Sequence, residues 1–242
     1  MTATTTVAAR LASVRARVAA ACERAGRDPA AVAIVGVTKT HPVEAVQEAI
    51  EAGLVDLGEN RAQELLPKTE AAAARGLAPR WHFIGHLQRN KVREVLPHIA
   101  ALHSLDSVRL ATEIDRRSAQ QQAQQQQHRA AHPRAAHPLP CYLDVNIGGE
   151  TSKEGVEPGQ VGELLRGVTA LPSIEVVGLM TVAPPVDDAE QVRPVFRELR
   201  ELAEAHGLAG LSMGMTDDYV VAIEEGATVV RVGRVVFGPR HG

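Results

Sequence analysis

Aromatic residues are scarce in this chain: one Trp, two Tyr and three Phe make up 2% of its 242 residues. The core must therefore be built from Ala, Val, Leu and Ile, and the stacking platforms that hold unpaired bases are lacking. An excess of positive charge is lacking too. The 26 Lys and Arg face 29 Asp and Glu, a formal net charge of −3 with His neutral, so no basic field exists to attract a nucleic-acid backbone. Cysteine is limited to Cys22 and Cys141, far apart and without a CxxC pair. That spacing indicates neither a disulfide framework nor a zinc site and suits a reducing cytoplasmic compartment. No apolar run reaches the ~18 residues of a membrane span, so a membrane partner is not expected.

What is present is ordinary for a folded domain: 45% hydrophobic and 23% charged residues. A chain of this length buries roughly 70–75% of its unfolded surface. The first 25 residues carry Arg10, Arg15, Arg17 and Arg24 against Glu23, a composition like that of a transit peptide. The stronger reading is one apolar stripe of an amphipathic helix, because Val7, Leu11, Val14, Val18 and Ala21 recur at spacings of three and four. Gly26 closes that helix.

Beyond it, short Val/Ile/Leu runs alternate with amphipathic stretches. Strands are expected near Val32–Thr38, Leu54–Leu57, Trp81–Ile84, Ala101–Ser104, Cys141–Ile147, Glu175–Met180, Ala209–Met213 and Thr228–Val232. Helices are expected near Val43–Ala52, Arg61–Arg75, Arg89–His98, Ser107–Gln127, Pro158–Ala170, Asp187–Ala205 and Thr216–Glu224. Strict alternation of strand and helix predicts an α/β fold with parallel strands and right-handed crossovers. Eight such units in this length fit a closed TIM-like (β/α)8 barrel, a single domain over residues 1–242 with an extra N-terminal helix. A doubly wound sheet is the competitor, and the missing Gly-x-Gly-x-x-Gly after the first strand weakens its dinucleotide-binding form. Residues 119–140 break the rhythm with seven Gln, then His128, His132 and His137 among three prolines. The Gln tract prolongs a helix or joins a flexible loop; the His/Pro part is a surface loop without the acids or cysteines that would complete a metal site.

In such a barrel the chemistry lies at the C-terminal ends of the strands. Lys39 follows the first strand, on the face of Val35 and Val37. Facing the interior, its amine would be partly desolvated and available for Schiff-base chemistry; facing water, it would merely snorkel. Ser212-Met213-Gly214-Met215-Thr216 joins a strand to a helix, with Gly214 at the turn, and Gly233 repeats the device after strand eight. Together they occupy the usual phosphate position of the fold. Helix capping by Thr216 and Asp217 is the plainer alternative. Arg231 lies within an apolar run, where a guanidinium requires an acceptor: an interior acid such as Asp144 or Glu59, or a ligand. Asn60, beside Glu59, either orients a ligand or caps a helix. His82 and His86 do not share a helix face, which weakens a metal reading.

These residues belong to longer motifs that occur in one order. They are Val37-Thr38-Lys39, Gly58-Glu59-Asn60-Arg61-x-Gln63-Glu64, His82-Phe83-Ile84-Gly85-His86-Leu87-Gln88-x-Asn90-Lys91, Val145-Asn146-Ile147-Gly148-x-Glu150-x-Ser152-Lys153-x-Gly155, Gly178-Leu179-Met180-Thr181, Leu211-Ser212-Met213-Gly214-Met215 and Val230-Arg231-Val232-Gly233-x-x-x-Phe237-Gly238. In this the chain resembles the YggS/PROSC family, the pyridoxal 5′-phosphate (PLP) homeostasis proteins, over essentially its full length. The resemblance implies a barrel like the N-terminal domain of alanine racemase, with PLP held as an internal aldimine on Lys39. It implies that Ser212 and the backbone of Gly233 and Arg234 hold the phosphate, that Arg231 faces the pyridine nitrogen, and that Asn60 and Met180 line the cofactor, with Gly214 also among the cofactor-binding residues. Arg234 departs from the Thr or Ser usual at its position, and Thr216 from the usual Ser.

The function so implied is non-catalytic: a PLP carrier or buffer serving vitamin B6 and amino-acid balance, with apo-PLP enzymes as recipients, as a monomer or weak homodimer. An arginine donor does not favour a protonated pyridine, so the ring is a weaker electron sink. The alternatives are a weak PLP-dependent racemase, a class I aldolase using Lys39 alone, and a phosphometabolite-binding barrel. The racemase would need a second acid/base group, a Tyr of a C-terminal domain in alanine racemase, whereas this chain has only Tyr142 and Tyr219 and is expected to carry no second domain. The scarcity of aromatics predicts a site with little stacking on the ring.

Overall fold

The computed structural model describes residues 6–128, 137–149 and 154–239. The chain enters through α1 (Val7–Arg24), which the Thr6 side chain caps by accepting from the Ala9 amide. Its apolar stripe buries Val7, Leu11, Val14, Val18, Ala21 and Cys22. Gly26, at φ +64°, then turns the chain, a left-handed conformation that glycine adopts without a Cβ penalty. Then come β1 (Ala33–Val37), α2 (Val43–Glu51), β2 (Asp56–Glu59), α3 (Ala62–Ala74), β3 (Arg80–Phe83), α4 (Val92–Val95), β4 (Ile99–Leu105) and α5 (Val108–His128). The second half holds β5 (Leu139–Asp144), α6 (Val161–Val168), β6 (Ile174–Met180), α7 (Arg193–Ala205), β7 (Gly210–Ser212), α8 (Tyr219–Glu224), β8 (Val229–Val232) and α9 (Arg234–Phe237).

The strands form a closed barrel in the order β1 to β8. All pairings are parallel, and β1 closes against β8 with Ala33 opposite Val229 and Val35 opposite Arg231. The doubly wound alternative is thereby excluded. Four helix boundaries differ from the periodicity. Arg89–His98 is broken into α4 flanked by 3₁₀ turns, with Pro97 in the second of them. α6 starts at Val161 and α7 at Arg193, each after a 3₁₀ turn. α8 starts at Tyr219 because Asp218 turns back to accept the Met215 amide at 2.5 Å. The Gln tract prolongs α5 as far as His128; the following His/Pro stretch, 129–136, lies outside the described residues, as do 150–153. Among the described residues no three His, Cys, Asp or Glu gather as a metal site, and no helix is long and apolar enough to cross a membrane. Cys22 and Cys141 are buried free thiols.

Apolar packing concentrates between the barrel wall and its helices, where Leu57, Phe83, Leu102, Leu143 and Leu179 meet residues such as Leu65, Ile114, Leu164 and Phe196. The barrel interior is different. Layers of branched aliphatic side chains are usual there, yet His103 of β4 reaches Ser212 of β7 at 2.7 Å. Strands four and seven are not neighbours, so this bond spans the interior. Gly178 and Gly210 pair across β6 and β7. A Cβ on Gly178 would strike the Gly210 carbonyl, and one on Gly210 would come within 2.9 Å of the Tyr142 ring. Without those side chains Tyr142 turns inward and stacks on His103, ring centres 4.5 Å apart.

Candidate functional site

At the C-terminal ends of the strands the barrel opens into a cleft of about 690 Å³ lined by Val37, Lys39, His41, Asn60, Ile84, Gly85, Val182, Met215, Thr216, Asp217, Arg231, Gly233, Arg234 and Pro239. That volume lies within the range of small-molecule sites. The lining includes no Phe, Tyr or Trp. Of the residues expected here, Lys39, Asn60, Arg231, Gly233 and Arg234 line the cleft, whereas Met180, Ser212 and Gly214 do not.

Lys39 lies two residues beyond β1, and the backbone on either side of it is gripped. Lys68 Nζ donates to the Thr38 carbonyl at 2.6 Å and to Glu59 at 2.5 Å. The Thr38 hydroxyl donates to the same Glu59 oxygen at 2.6 Å. Beyond Lys39, the Thr40 amide donates to Glu64 at 2.7 Å, and Thr40 takes φ +64°. That is an uncommon conformation for a residue with a branched Cβ, and the Glu64 bond helps to hold it. Burial pushes the Glu59 carboxyl up, against the pull of Lys68. Glu59 thus pairs with Lys68 and not with an arginine.

Asn60 does not cap α3; Arg61 occupies that position. Its Oδ1 is buried at the cleft with no hydrogen-bond partner. A buried acceptor left unmade is costly, so this atom is suited to a ligand that donates.

Arg231 is 3% exposed. It donates from one terminal nitrogen to Ser212 Oγ at 2.7 Å and from the other to the Thr181 carbonyl at 2.9 Å. Neither interior acid expected as its partner receives a hydrogen bond from it. Glu59 is engaged by Lys68, and Asp144 acts through its field alone. Burial lowers the Arg231 guanidinium to about 10, opposed by Asp144 and Asp218. Two of its five N–H groups are used in these bonds, which leaves donors for the cleft it lines. Asp144 is pushed up to about 7 by burial, with Arg231 opposing and Asp106 and Glu154 reinforcing.

The expected phosphate donors divide. Ser212 has its hydroxyl inside the barrel between His103 and Arg231, because strand alternation points it inward. Gly214, at φ +91°, turns the loop, and a Cβ there would press on Ala222 at 2.6 Å. Neither Gly214 nor Met180, 2% exposed at the end of β6, is among the lining residues of the cleft. Thr216 lines the cleft instead, its Oγ1 receiving the Gly233 amide at a long 3.4 Å. Arg234 stands beside them and pairs with Asp217 at 2.6 Å. From sequence, Thr216 reads as part of the Gly214 turn, as a helix cap and as a substitution, but is not placed among the cofactor residues, and His103 is not singled out at all. The signal for His103 was the one that marked Arg231, a polar side chain inside an apolar run.

Fold and cleft together define a class, the barrel of the alanine racemase N-terminal-domain family. The family model described as "Alanine racemase, N-terminal domain" matches residues 9–241. An alanine racemase of Clostridium difficile 630 shares the fold at a TM-score of 0.68 and 12% identity, over 94% of this chain and 56% of that one. Within that class the chain belongs to the pyridoxal phosphate homeostasis proteins, the YggS/PROSC family. A protein of that name from Aquifex aeolicus (strain VF5) is 43% identical over 237 residues, 96% of this chain and 97% of the relative. Another from Pseudomonas aeruginosa is 41% identical over 237 residues, 97% and 96% of the two chains. PipY of Synechococcus elongatus PCC7942, solved with PLP bound, matches at a TM-score of 0.78 and 31% identity, over 96% of this chain and all of that one.

Proposed function

We propose that the cleft holds PLP and that the chain carries or buffers it, serving vitamin B6 and amino-acid balance rather than turning over a substrate. The observation that carries this reading is the convergence on one cleft of Lys39, the unpartnered Asn60 acceptor, buried Arg231 and the Thr216–Gly233–Arg234 group. Its relatives' names and the PLP-bound PipY structure support it. When bound, PLP supplies an aldehyde that condenses with amines and a ring that withdraws electrons.

The protein's own groups divide the work of holding it. Lys39 is the residue for a Schiff base, its backbone fixed by Lys68 and Glu64. Arg231 presents N–H donors to the ring nitrogen. A permanent donor there leaves the ring unprotonated, which weakens it as an electron sink. Thr216, the Gly233 amide and Arg234 would hold the phosphate. Asp217 competes for Arg234, so the arginine must exchange one anion for another. Neither Tyr142, stacked in the barrel interior, nor Tyr219, buried in α8, lines the cleft, which supports a carrier over a racemase.

Purified protein given PLP should acquire a visible absorption band that borohydride bleaches, and Lys39→Ala should lose it. A protein that stays colourless would sink the reading. Racemisation of amino acids that disappears in Lys39→Ala would replace the carrier with a weak racemase. Mixing the loaded protein with an apo-PLP enzyme, against the rate of free PLP release, tests direct transfer, and sedimentation tests the expected monomer or weak homodimer.

A further inference from the structure

A chain of hydrogen bonds crosses the barrel interior from the cleft to its opposite mouth. Arg231 donates to Ser212 Oγ at 2.7 Å, and Ser212 Oγ meets His103 Nδ1 at 2.7 Å. His103 Nε2 meets His82 Nδ1 at 2.9 Å, and His82 Nε2 meets Asp56 Oδ1 at 3.0 Å. Asp56 begins β2 and pairs with Arg80, the first residue of β3, at 2.5 Å. The His82 and Asp56 side chains are 15% and 16% exposed, whereas His103 and Ser212 are fully buried. The far end therefore meets water and the middle does not.

The donors dictate the direction of this chain. A guanidinium only donates, so Ser212 Oγ must accept from Arg231. Its one proton is then left for His103 Nδ1. A neutral His103 that accepts at Nδ1 carries its proton on Nε2 and donates to His82 Nδ1. His82 in turn carries its proton on Nε2 and donates to the Asp56 carboxylate. With both imidazoles neutral, every hydrogen is assigned and every bond points away from Arg231. Burial, with His82 and Arg231 adding repulsion, keeps His103 from charging.

We infer that His82, His103 and Ser212 are positioning residues for Arg231, and that one proton taken up at His82 reverses the polarity of this chain as far as the cleft. The proton comes from water, and no other atom is gained or lost. A protonated His82 holds N–H on both nitrogens, one to Asp56 and one toward His103 Nε2. His103 stays neutral, but its proton must then lie on Nδ1, pointing at Ser212. Ser212 Oγ now accepts from both His103 and Arg231, and its own hydroxyl proton turns elsewhere. The oxygen that held Arg231 alone is shared, and a cation has been added to the interior. The groups facing His82 are Asp56 from β2, Arg80 from its own strand and His103 from β4. Those around His103 are Tyr142 from β5, Ser212 from β7 and Arg231 from β8. The consequence for the bound ring rests on the reading that Arg231 faces it; the polarity of the chain does not.

The test is histidine side-chain 15N NMR on the full-length protein without PLP, between about pH 8 and about pH 5, where imidazoles titrate. At the upper end His103 should show its proton on Nε2; wherever the spectrum shows His82 with protons on both nitrogens, the proton of His103 should have moved to Nδ1. A His82→Asn variant should abolish that movement. A His103 that already carries Nδ1–H at the upper pH, or that stays unchanged while His82 titrates, would overturn the inference. In the PLP-loaded protein, the visible band should shift with pH in the wild type and lose that shift in His82→Asn and Ser212→Ala while the band itself persists. A pH shift kept in both variants would also overturn it. Loss of PLP binding altogether would fail the carrier reading and leave the NMR result standing.

Discussion

Asp144 illustrates how a single residue couples to its surroundings. Its carboxyl sits at about 7 in the folded chain, above an unfolded value of about 3.9. A raised carboxyl favours the folded state when protonated. Its stabilising contribution is therefore complete below about pH 4 and is lost as pH rises through about 7. Asp144→Asn removes this dependence. Relative to the wild type, its urea midpoint should rise between about pH 4 and about pH 8; an offset that stays constant across that range would refute the assignment. The residue scale also shows the limits of reading a motif. Ser212 and Thr216 are hydroxyls four positions apart around one glycine turn. Which of them faces the cleft follows from strand alternation and from where β7 ends, and the motif alone does not give that end.

Helix α1 carries the same logic at the scale of an element. Its stripe was legible because spacings of three and four survive any tertiary context. Its neighbours were not. α1 packs against α2, α8 and α9, which come from both ends of the chain, and so ties down the seam where β1 closes on β8. Arg24 pairs with Glu224 at 2.7 Å, and Arg27 donates to the carbonyls of Ile223 and Ala227 at 2.6 and 2.8 Å. Leu11, 1% exposed on the buried face, should cost about 2–5 kcal/mol when cut to Ala. Chemical denaturation would measure that loss, and a cost below 1 kcal/mol would mean that α1 is not docked as described. Of the helices that departed from the periodicity, two did so where Pro97 or the Asp218 side chain intervened and the others where a 3₁₀ turn precedes the helix, local chemistry that a hydrophobic pattern does not register.

At the scale of the whole molecule, closing eight strands into a barrel forces side chains from distant strands into one narrow space. Gly178 and Gly210 are the price of placing Tyr142 and His103 there. Gly178→Ala puts a methyl against the Gly210 carbonyl oxygen, a clash between backbone and a rigid substituent that no rotamer relieves. It should lower the melting temperature strongly or prevent accumulation of folded protein. Gly159→Ala, with nothing within 4 Å of its Cβ position, should change it little. Equal melting temperatures for the two variants would contradict the packing described.

The alternation of strand and helix, the eight-unit count, the apolar stripe of α1 and five of the fourteen residues that line the cleft were legible in the sequence alone. Each of these is written in periodicity or in a run of neighbouring residues. The closure of the barrel, the answer to Arg231 by Ser212 and the Thr181 carbonyl instead of an acid, and the grip of Lys68 and Glu64 on the backbone around Lys39 emerge only from the three-dimensional packing. It alone showed that Asp56, His82, His103 and Ser212 form one chain. Those partners lie on separate strands and helices, and their contact depends on strand register and barrel curvature, which no local pattern encodes.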